Sequence, residues 1–290
     1  MKPTLILFLT FLLFQLFFVS CKKDNKSVDN ETQSVVDNAL CEQEFMRISP
    51  AVSERAISTQ GVKRMIKGFG YKVFAACPTD TLTGDTTTNM QISPYTGVFV
   101  NTTNPPCITL DWGTGCTDPA DGVFRSGKLK STFTKRYGII GSQATVEAIN
   151  YKINDITYSG TVKITRLDTG INSSFKTEVI NGKCSTATWS INWATSKTVT
   201  WKAGYGTLTT ADDVVEITGS SSGTNRDGKT FTVNIITPLE KRAHYKHLVK
   251  GTLEITPDGL KPRIVDFGNG VEDNIGTFTV NGNTFTFTMQ

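Results

Sequence analysis

The segment TFTVNGNTFTFTM at residues 277–289 decides the fold class of this chain. Apolar and polar residues alternate on both sides of Asn281-Gly282, a dipeptide favoured in two-residue type I′ hairpin turns. Such a turn pairs Phe278 with Phe285 and places both rings on one face. The segment therefore predicts an antiparallel β-hairpin.

The same signals recur upstream. Asn154-Asp155, Asn181-Gly182 and Asp227-Gly228 lie between alternating runs and predict three more turns of this class. No useful helical pattern interrupts residues 106–290. We therefore predict a mainly β protein: an antiparallel β-sandwich or a curved sheet of many strands, possessing two related halves and packed against two short N-terminal helices.

The two helices are predicted within residues 35–105. Apolar residues from Val36 to Phe45 recur at helical spacing, and Ser49-Pro50 resembles an N-cap followed by proline at the first helical position of a second helix. The Thr-rich stretch that completes this region predicts a long loop or a pair of weak edge strands.

The chain begins with a leader-like segment. An apolar run of about 15 residues, from Leu5 to Val19, follows Lys2, and it is shorter than the roughly 20 residues that cross a bilayer as a helix. We therefore predict a signal peptide over residues 1–20. The polar residues 21–34 then predict a flexible tether.

Ser20 immediately before Cys21 resembles the lipobox of bacterial lipoproteins, although Phe18 stands where leucine is usual. In that class the cysteine is acylated and becomes the first residue of the mature protein. The resemblance implies lipidation at Cys21 and anchoring through acyl chains, since each buried methylene contributes about 0.8 kcal/mol. The start at Lys22 resembles Bacteroidota lipoproteins of the outer membrane, some of which reach the cell surface.

Five other cysteines remain, at positions 41, 77, 107, 116 and 184. Because the number is odd, at least one of them stays outside an intrachain disulfide. Cys77 and Cys116 flank a loop-rich stretch, and we expect them to pair. No two of the five have the spacing of a structural zinc site.

One motif occurs twice, as DWGTGCTD at 111–118 and DFGNGVED at 266–273. Carboxylates with glycines are typical of calcium loops, but also of turns in which Asp accepts backbone N–H groups and glycine adopts positive φ. Two interpretations therefore remain for the four aspartates: they belong either to weak calcium sites or to such turns. The four are Asp111, Asp118, Asp266 and Asp273.

On these loops the chain resembles a family of uncharacterised Bacteroidota lipoproteins, over roughly residues 77–290. His247 and Val271 stand where family members often have a second cysteine pair. The resemblance implies an envelope location and the β fold, but it brings no established activity. The other matching stretches are 125–128, Asp212-Asp213, 217–219, 223–228 and Pro238-Leu239.

Two threonines are candidates for modification. Asp80-Thr81-Leu82 and Asp85-Thr86-Thr87 resemble the three-residue signal for O-glycosylation in Bacteroidota, although so short a pattern also arises by chance in a Thr-rich stretch. Thr81 and Thr86 would carry the sugar.

Composition and motifs limit the chemistry. With 19% charged residues and a net charge of +4, the chain is neither a coiled coil nor a nucleic-acid-binding protein. The two histidines, His244 and His247, are predicted to point to opposite faces of a strand. With so few histidines, the chain has few candidates for the base of a hydrolase triad. Trp189 and Trp193 lie on the same face of a predicted strand. There they are either core residues or an exposed platform for sugar rings.

These observations predict a lipid-anchored outer-membrane lipoprotein that is a non-catalytic binding or structural module. It needs no cofactor, and its partners would be the membrane, through Cys21, and a glycan or an envelope protein. The alternative is a carbohydrate-active or calcium-dependent envelope enzyme, because paired carboxylates cannot be recognised from sequence alone.

Overall fold

The computed structural model describes residues 29, 31–59, 77–83, 105–119, 122–134, 139–170, 173–205, 212–245 and 247–289. The predicted signal peptide, Cys21 and Thr86 lie outside these residues. Within them the chain forms one helix and fourteen strands, which confirms the predicted mainly β class. The helix is α1 (Gln33–Thr59), and the strands are β1 (Thr79–Thr83), β2 (Cys107–Asp111), β3 (Cys116–Asp118), β4 (Val123–Phe133), β5 (Gln143–Ile153), β6 (Ile156–Asp168), β7 (Ser174–Ser185), β8 (Ser190–Ala203), β9 (Val214–Thr224), β10 (Thr230–Arg242), β11 (Leu248–Pro257), β12 (Arg263–Asn269), β13 (Ile275–Val280) and β14 (Asn283–Thr288).

All fourteen strands belong to one antiparallel sheet. Each strand pairs with its neighbour in the chain, except that β2 pairs directly with β4 and the short β3 pairs with β4 beside this path. Among the described strands this sheet does not close. It is a single meander rather than two stacked sheets, because thirteen of the strands are hydrogen-bonded in one continuous order.

Two of the predicted hairpin turns are formed as expected. Phe278 pairs with Phe285 across the turn at Asn281-Gly282, and the ring centroids lie 5.0 Å apart. Asn281 has φ 54°, which a type I′ turn requires. The turn at Asn154-Asp155 likewise joins β5 to β6.

The other two turn predictions need correction. Asn181-Gly182 does not end a strand but lies within β7, where the register shifts on both sides. Asn181 has φ 52°, and positive φ suits a β-bulge as well as a turn. Asp227-Gly228 does connect two strands, but within the five-residue loop 225–229.

The prediction of two helices is wrong for the described residues, since α1 is one helix that continues through Pro50. Proline removes one helical hydrogen bond, but the inward-facing residues Phe45, Ile48 and Val52 stay buried on both sides of it. The predicted apolar face also differs, because Val36 is 54% exposed. The later part of the second predicted helix lies outside the described residues.

One face of the sheet packs against α1. Residues of β2, β6, β7, β8 and β11 contact the helix, and Arg226, in the loop after β9, and Arg125, on β4, bond Asp37 and Glu44. We call the side of the sheet that contacts α1 the inner face.

The end of the predicted tether, residues 21–34, overlaps the described structure. Helix α1 begins at Gln33, and Asp29 and Glu31 contact Arg263 on β12. Polar composition does not separate a solvated tether from a segment docked through charges. Among the described residues, no helix combines the length and the apolar character needed to cross a bilayer.

Candidate functional site

A charged seam joins α1 to the inner face. We define it as the polar residues of 29–44 and the basic and aromatic side chains of the sheet that bond them. At its innermost end, Tyr151 donates a hydrogen bond of 2.6 Å to Glu44, and Arg125 donates one of 2.9 Å to Tyr151. Burial raises the pKa of Glu44 although Arg125 lies 3.4 Å away. Burial, and then the charge of Glu44, raise the pKa of Tyr151.

The middle of the seam contains a fully buried lysine. The ammonium group of Lys197 forms an ion pair with Glu42, and the lysine side chain has no exposed surface. One turn earlier on α1, Asn38 accepts a hydrogen bond of 2.9 Å from the indole N–H of Trp193. These contacts fix one side of α1 against β8.

Asp37 binds the loop between β9 and β10. Its two carboxylate oxygens accept hydrogen bonds of 2.8 Å from the backbone N–H and from Nε of Arg226. The guanidinium of Arg226 also lies 4.4 Å from the ring centroid of Trp189. One face of the half-buried Trp189 ring is therefore covered by a charged side chain.

The outer end of the seam holds the start of the helix. Glu31 accepts a hydrogen bond of 2.7 Å from the backbone N–H of Ser34, which satisfies a free donor of the first turn. Arg263, fully buried, bonds the carbonyl of Glu31 and the carboxylate of Asp29. Burial raises the pKa of Asp29, but the hydrogen bond from Arg263 lowers it, and the net shift of this pKa is downward.

The seam offers no open reaction centre. Each carboxylate named above is already paired with a basic side chain, a hydroxyl or a backbone N–H. Within the described residues, no three His, Cys, Asp or Glu side chains are grouped so that they could hold a metal ion. The described contacts of the seam therefore dock the helix to the sheet through charges.

The repeated aspartate loops form the same turn. Asp111 accepts a hydrogen bond of 2.8 Å from the N–H of Gly113, and Asp266 accepts one of the same length from Gly268. The two glycines have φ of 58° and 97°. This is the turn alternative, in which the first aspartate of each loop is used internally.

The second aspartates also have partners. Asp118 lies 3.8 Å from Arg125, and Asp273 accepts a hydrogen bond of 2.9 Å from the N–H of Ile275. Among the described residues, neither loop belongs to a group of three or more His, Cys, Asp or Glu side chains that could hold a metal ion, whereas a calcium site needs six to eight oxygens.

The remaining predicted residues lie at the β1 edge and in the core. Cys77 and Cys116 form a disulfide, the expected pairing. Thr81 is exposed on β1, an edge strand. Trp193 is buried against Phe45, as the core interpretation of that residue expected.

A shallow groove crosses the face opposite α1, which we call the outer face. Its volume is about 760 Å³, within the range of small-molecule sites. It crosses β6 to β11 and is lined by the exposed side chains of Lys183, Asn192, Ser222, Thr232 and Asp258. These groups offer hydroxyl and amide hydrogen bonds and one charge of each sign.

Sequence reasoning missed both the seam and the groove. Lys197 carried a usable signal, because it falls in the same alternation as the buried residues Ile191 and Trp193 on β8 and is therefore an inward-facing charge. The groove carried none, since serine and threonine on an outer face are typical of any solvated sheet. Comparisons with known proteins find no match: no family model, curated protein or solved structure corresponds to the chain.

Proposed function

We propose that this chain is a lipid-anchored lipoprotein of the outer membrane that acts as a non-catalytic binding or structural module, with the outer-face groove as its binding surface. The anchor rests on one observation, the apolar run that ends at Ser20-Cys21. The family resemblance of residues 77–290 supports the same location.

The distance between anchor and sheet supports a membrane-proximal module. Cys21 and Asp29 are eight residues apart, and a fully extended chain of that length spans about 28 Å. Asp29 is fixed to Arg263, at the start of β12. The sheet would therefore be held close to the leaflet.

The groove favours a neutral, hydroxyl-rich ligand such as a segment of glycan. Its exposed side chains offer hydroxyl, amide and charged groups with little net charge, whereas Trp193, which also borders the groove, is buried and presents no open ring face. Affinity would then come from several hydrogen bonds of modest individual strength.

The anchor is tested by labelling cells with radioactive palmitate. We expect label on the wild-type chain and none on Cys21→Ser, which should also leave the membrane fraction. Label on the serine variant, or membrane retention without label, would contradict the anchor.

The groove is tested by glycan-array binding of the full chain in detergent. Ser222→Arg fills the groove, whereas Ser220→Arg adds the same side chain two residues earlier on the same face of β9 but outside the groove. We expect loss of binding for the first variant only. Equal binding by both variants would contradict a role of the groove.

The alternative, an envelope enzyme, has one observation in its favour: a groove of suitable size that contains Asp258. An enzyme that hydrolyses glycosides uses two facing carboxylates, and Asp258 is the one acidic residue among the described residues that line the groove. Turnover of a bound glycan that is lost in Asp258→Asn would favour the enzyme.

A further inference from the structure

Two cysteines that are distant in sequence meet beneath the helix. Cys41 on α1 and Cys184 on β7 are both fully buried, and their sulfur atoms lie 2.6 Å apart. Non-bonded carbon atoms pack at about 3.5–4.0 Å, whereas a disulfide bond measures about 2.05 Å. The two sulfur atoms are therefore closer than ordinary packing brings them.

The contacts on either side of Cys41 hold it in this position. One turn earlier, Asn38 is hydrogen-bonded to Trp193, and one turn later the ring of Phe45 stacks on Trp193 with centroids 5.6 Å apart. Trp193 belongs to β8, which pairs with β7 beside Cys184. The helix cannot turn Cys41 away from Cys184 without breaking these contacts.

We propose that Cys41 and Cys184 form a second disulfide in the mature protein, which fastens α1 to the centre of the sheet. The oxidant is a disulfide, from a small thiol or an oxidoreductase. One cysteine thiolate attacks it, a mixed disulfide forms and a thiolate leaves. The second cysteine then attacks its partner's sulfur and releases the other thiolate. Two thiols lose two electrons and two protons, and the oxidant becomes two thiols.

The surroundings determine when this exchange can occur. Burial, and then the contact with Cys41, raise the pKa of the Cys184 thiol, and thiolates are the reactive species. The exchange therefore takes place before α1 docks. Cys107, which is buried on β2 and forms no disulfide among the described residues, becomes the unpaired cysteine that the odd number requires.

The test is refolding of the reduced full chain in a mixture of reduced and oxidised glutathione, followed by alkylation and peptide mapping without reduction. We expect peptides joined through Cys41–Cys184 and alkylated Cys107. The Cys77–Cys116 link is the internal control. Molecules that contain this control link but carry alkylated Cys41 and Cys184 would overturn the proposal. The result does not depend on the membrane anchor or on the groove.

A second measurement tests the cross-link in protein that has not been refolded, in case the reduced chain fails to refold. The full chain is extracted natively in detergent with the alkylating reagent present, and its melting temperature is compared with and without reductant. We expect reduction to lower the melting temperature by several degrees more in the wild type and in Cys107→Ala than in Cys41→Ala/Cys184→Ala. The same decrease in all three proteins would overturn the cross-link.

Discussion

Each face of the sheet carries a Lys–Glu ion pair, but the inner pair is mostly buried and the outer pair is exposed to water. On the inner face Lys197 is fully buried against Glu42, whereas on the outer face Lys176 and Glu178, 2.7 Å apart, keep 39% and 31% of their side-chain surface exposed. Water and salt screen the outer pair, but an inner charge that loses its partner cannot be solvated. We therefore expect burial, rather than distance, to determine what each pair contributes to stability.

The largest effect is expected from Glu42→Ala. The substitution leaves the ammonium group of Lys197 buried without its carboxylate, so we expect the free energy of unfolding to fall by about 3–5 kcal/mol. Urea denaturation of the variant and of the wild type measures it.

Replacing both partners sharpens the same comparison. In Glu42→Leu/Lys197→Met no charge remains to be solvated, and stability should return to within about 2 kcal/mol of the wild type. A double variant as unstable as Glu42→Ala would show that packing, rather than the unpaired charge, causes the loss.

The second effect concerns how closely the inner face packs. A Cβ atom on Gly182 would lie 2.6 Å from the carbonyl oxygen of Trp193 and 3.3 Å from Phe45, so Gly182→Ala should cost about 1–3 kcal/mol. Gly170→Ala is the control, because its nearest atom, on Asp168, would lie 3.5 Å away. Thermal melts that show equal losses would contradict the packing argument.

The third prediction concerns pH. The hydrogen bond from Lys128, and then that from Gly113, lower the pKa of Asp111 from 3.8, so its contribution to stability is present above that value and lost as pH falls. Burial raises the pKa of Glu44 from 4.5, so its contribution is present below that value and lost as pH rises.

We therefore expect Asp111→Asn to lose less stability than the wild type as the pH falls. Glu44→Gln should instead lack the gain in stability that the wild type obtains from Glu44 as the pH falls. Urea midpoints between about pH 3 and pH 7 measure both slopes. Slopes that change in the same direction in the two variants would contradict the assignment.

The smallest effect is expected on the outer face. Glu178→Ala leaves Lys176 in contact with water, and we expect a loss of about 0.2–1 kcal/mol that disappears in high salt. A loss as large as that of Glu42→Ala, measured by the same urea titration, would remove the distinction between the faces.

Local signals in the sequence were sufficient for the antiparallel class and for hairpins such as that at Asn281-Gly282, because strand alternation and turn chemistry involve neighbouring residues. They misled at Asn181-Gly182, since positive φ serves bulges and turns equally. The single helix was missed because Pro50 resembles a helix start and because the inward side of α1 is polar at Asp37. Such a side is recognisable only with its partner Arg226, which lies 189 residues away.

The docking of α1 also has a mechanical consequence. If the proposed anchor at Cys21 is present, a pull on it would reach the described chain first at Asp29, and then at the contacts of Asp37, Glu42 and Glu44 in that order along the helix. Contacts that are loaded one after another break one at a time, each at its own strength, as in unzipping. A covalent bond from Cys41 to Cys184 would instead pass the force directly into β7, and the contacts beyond it would carry none.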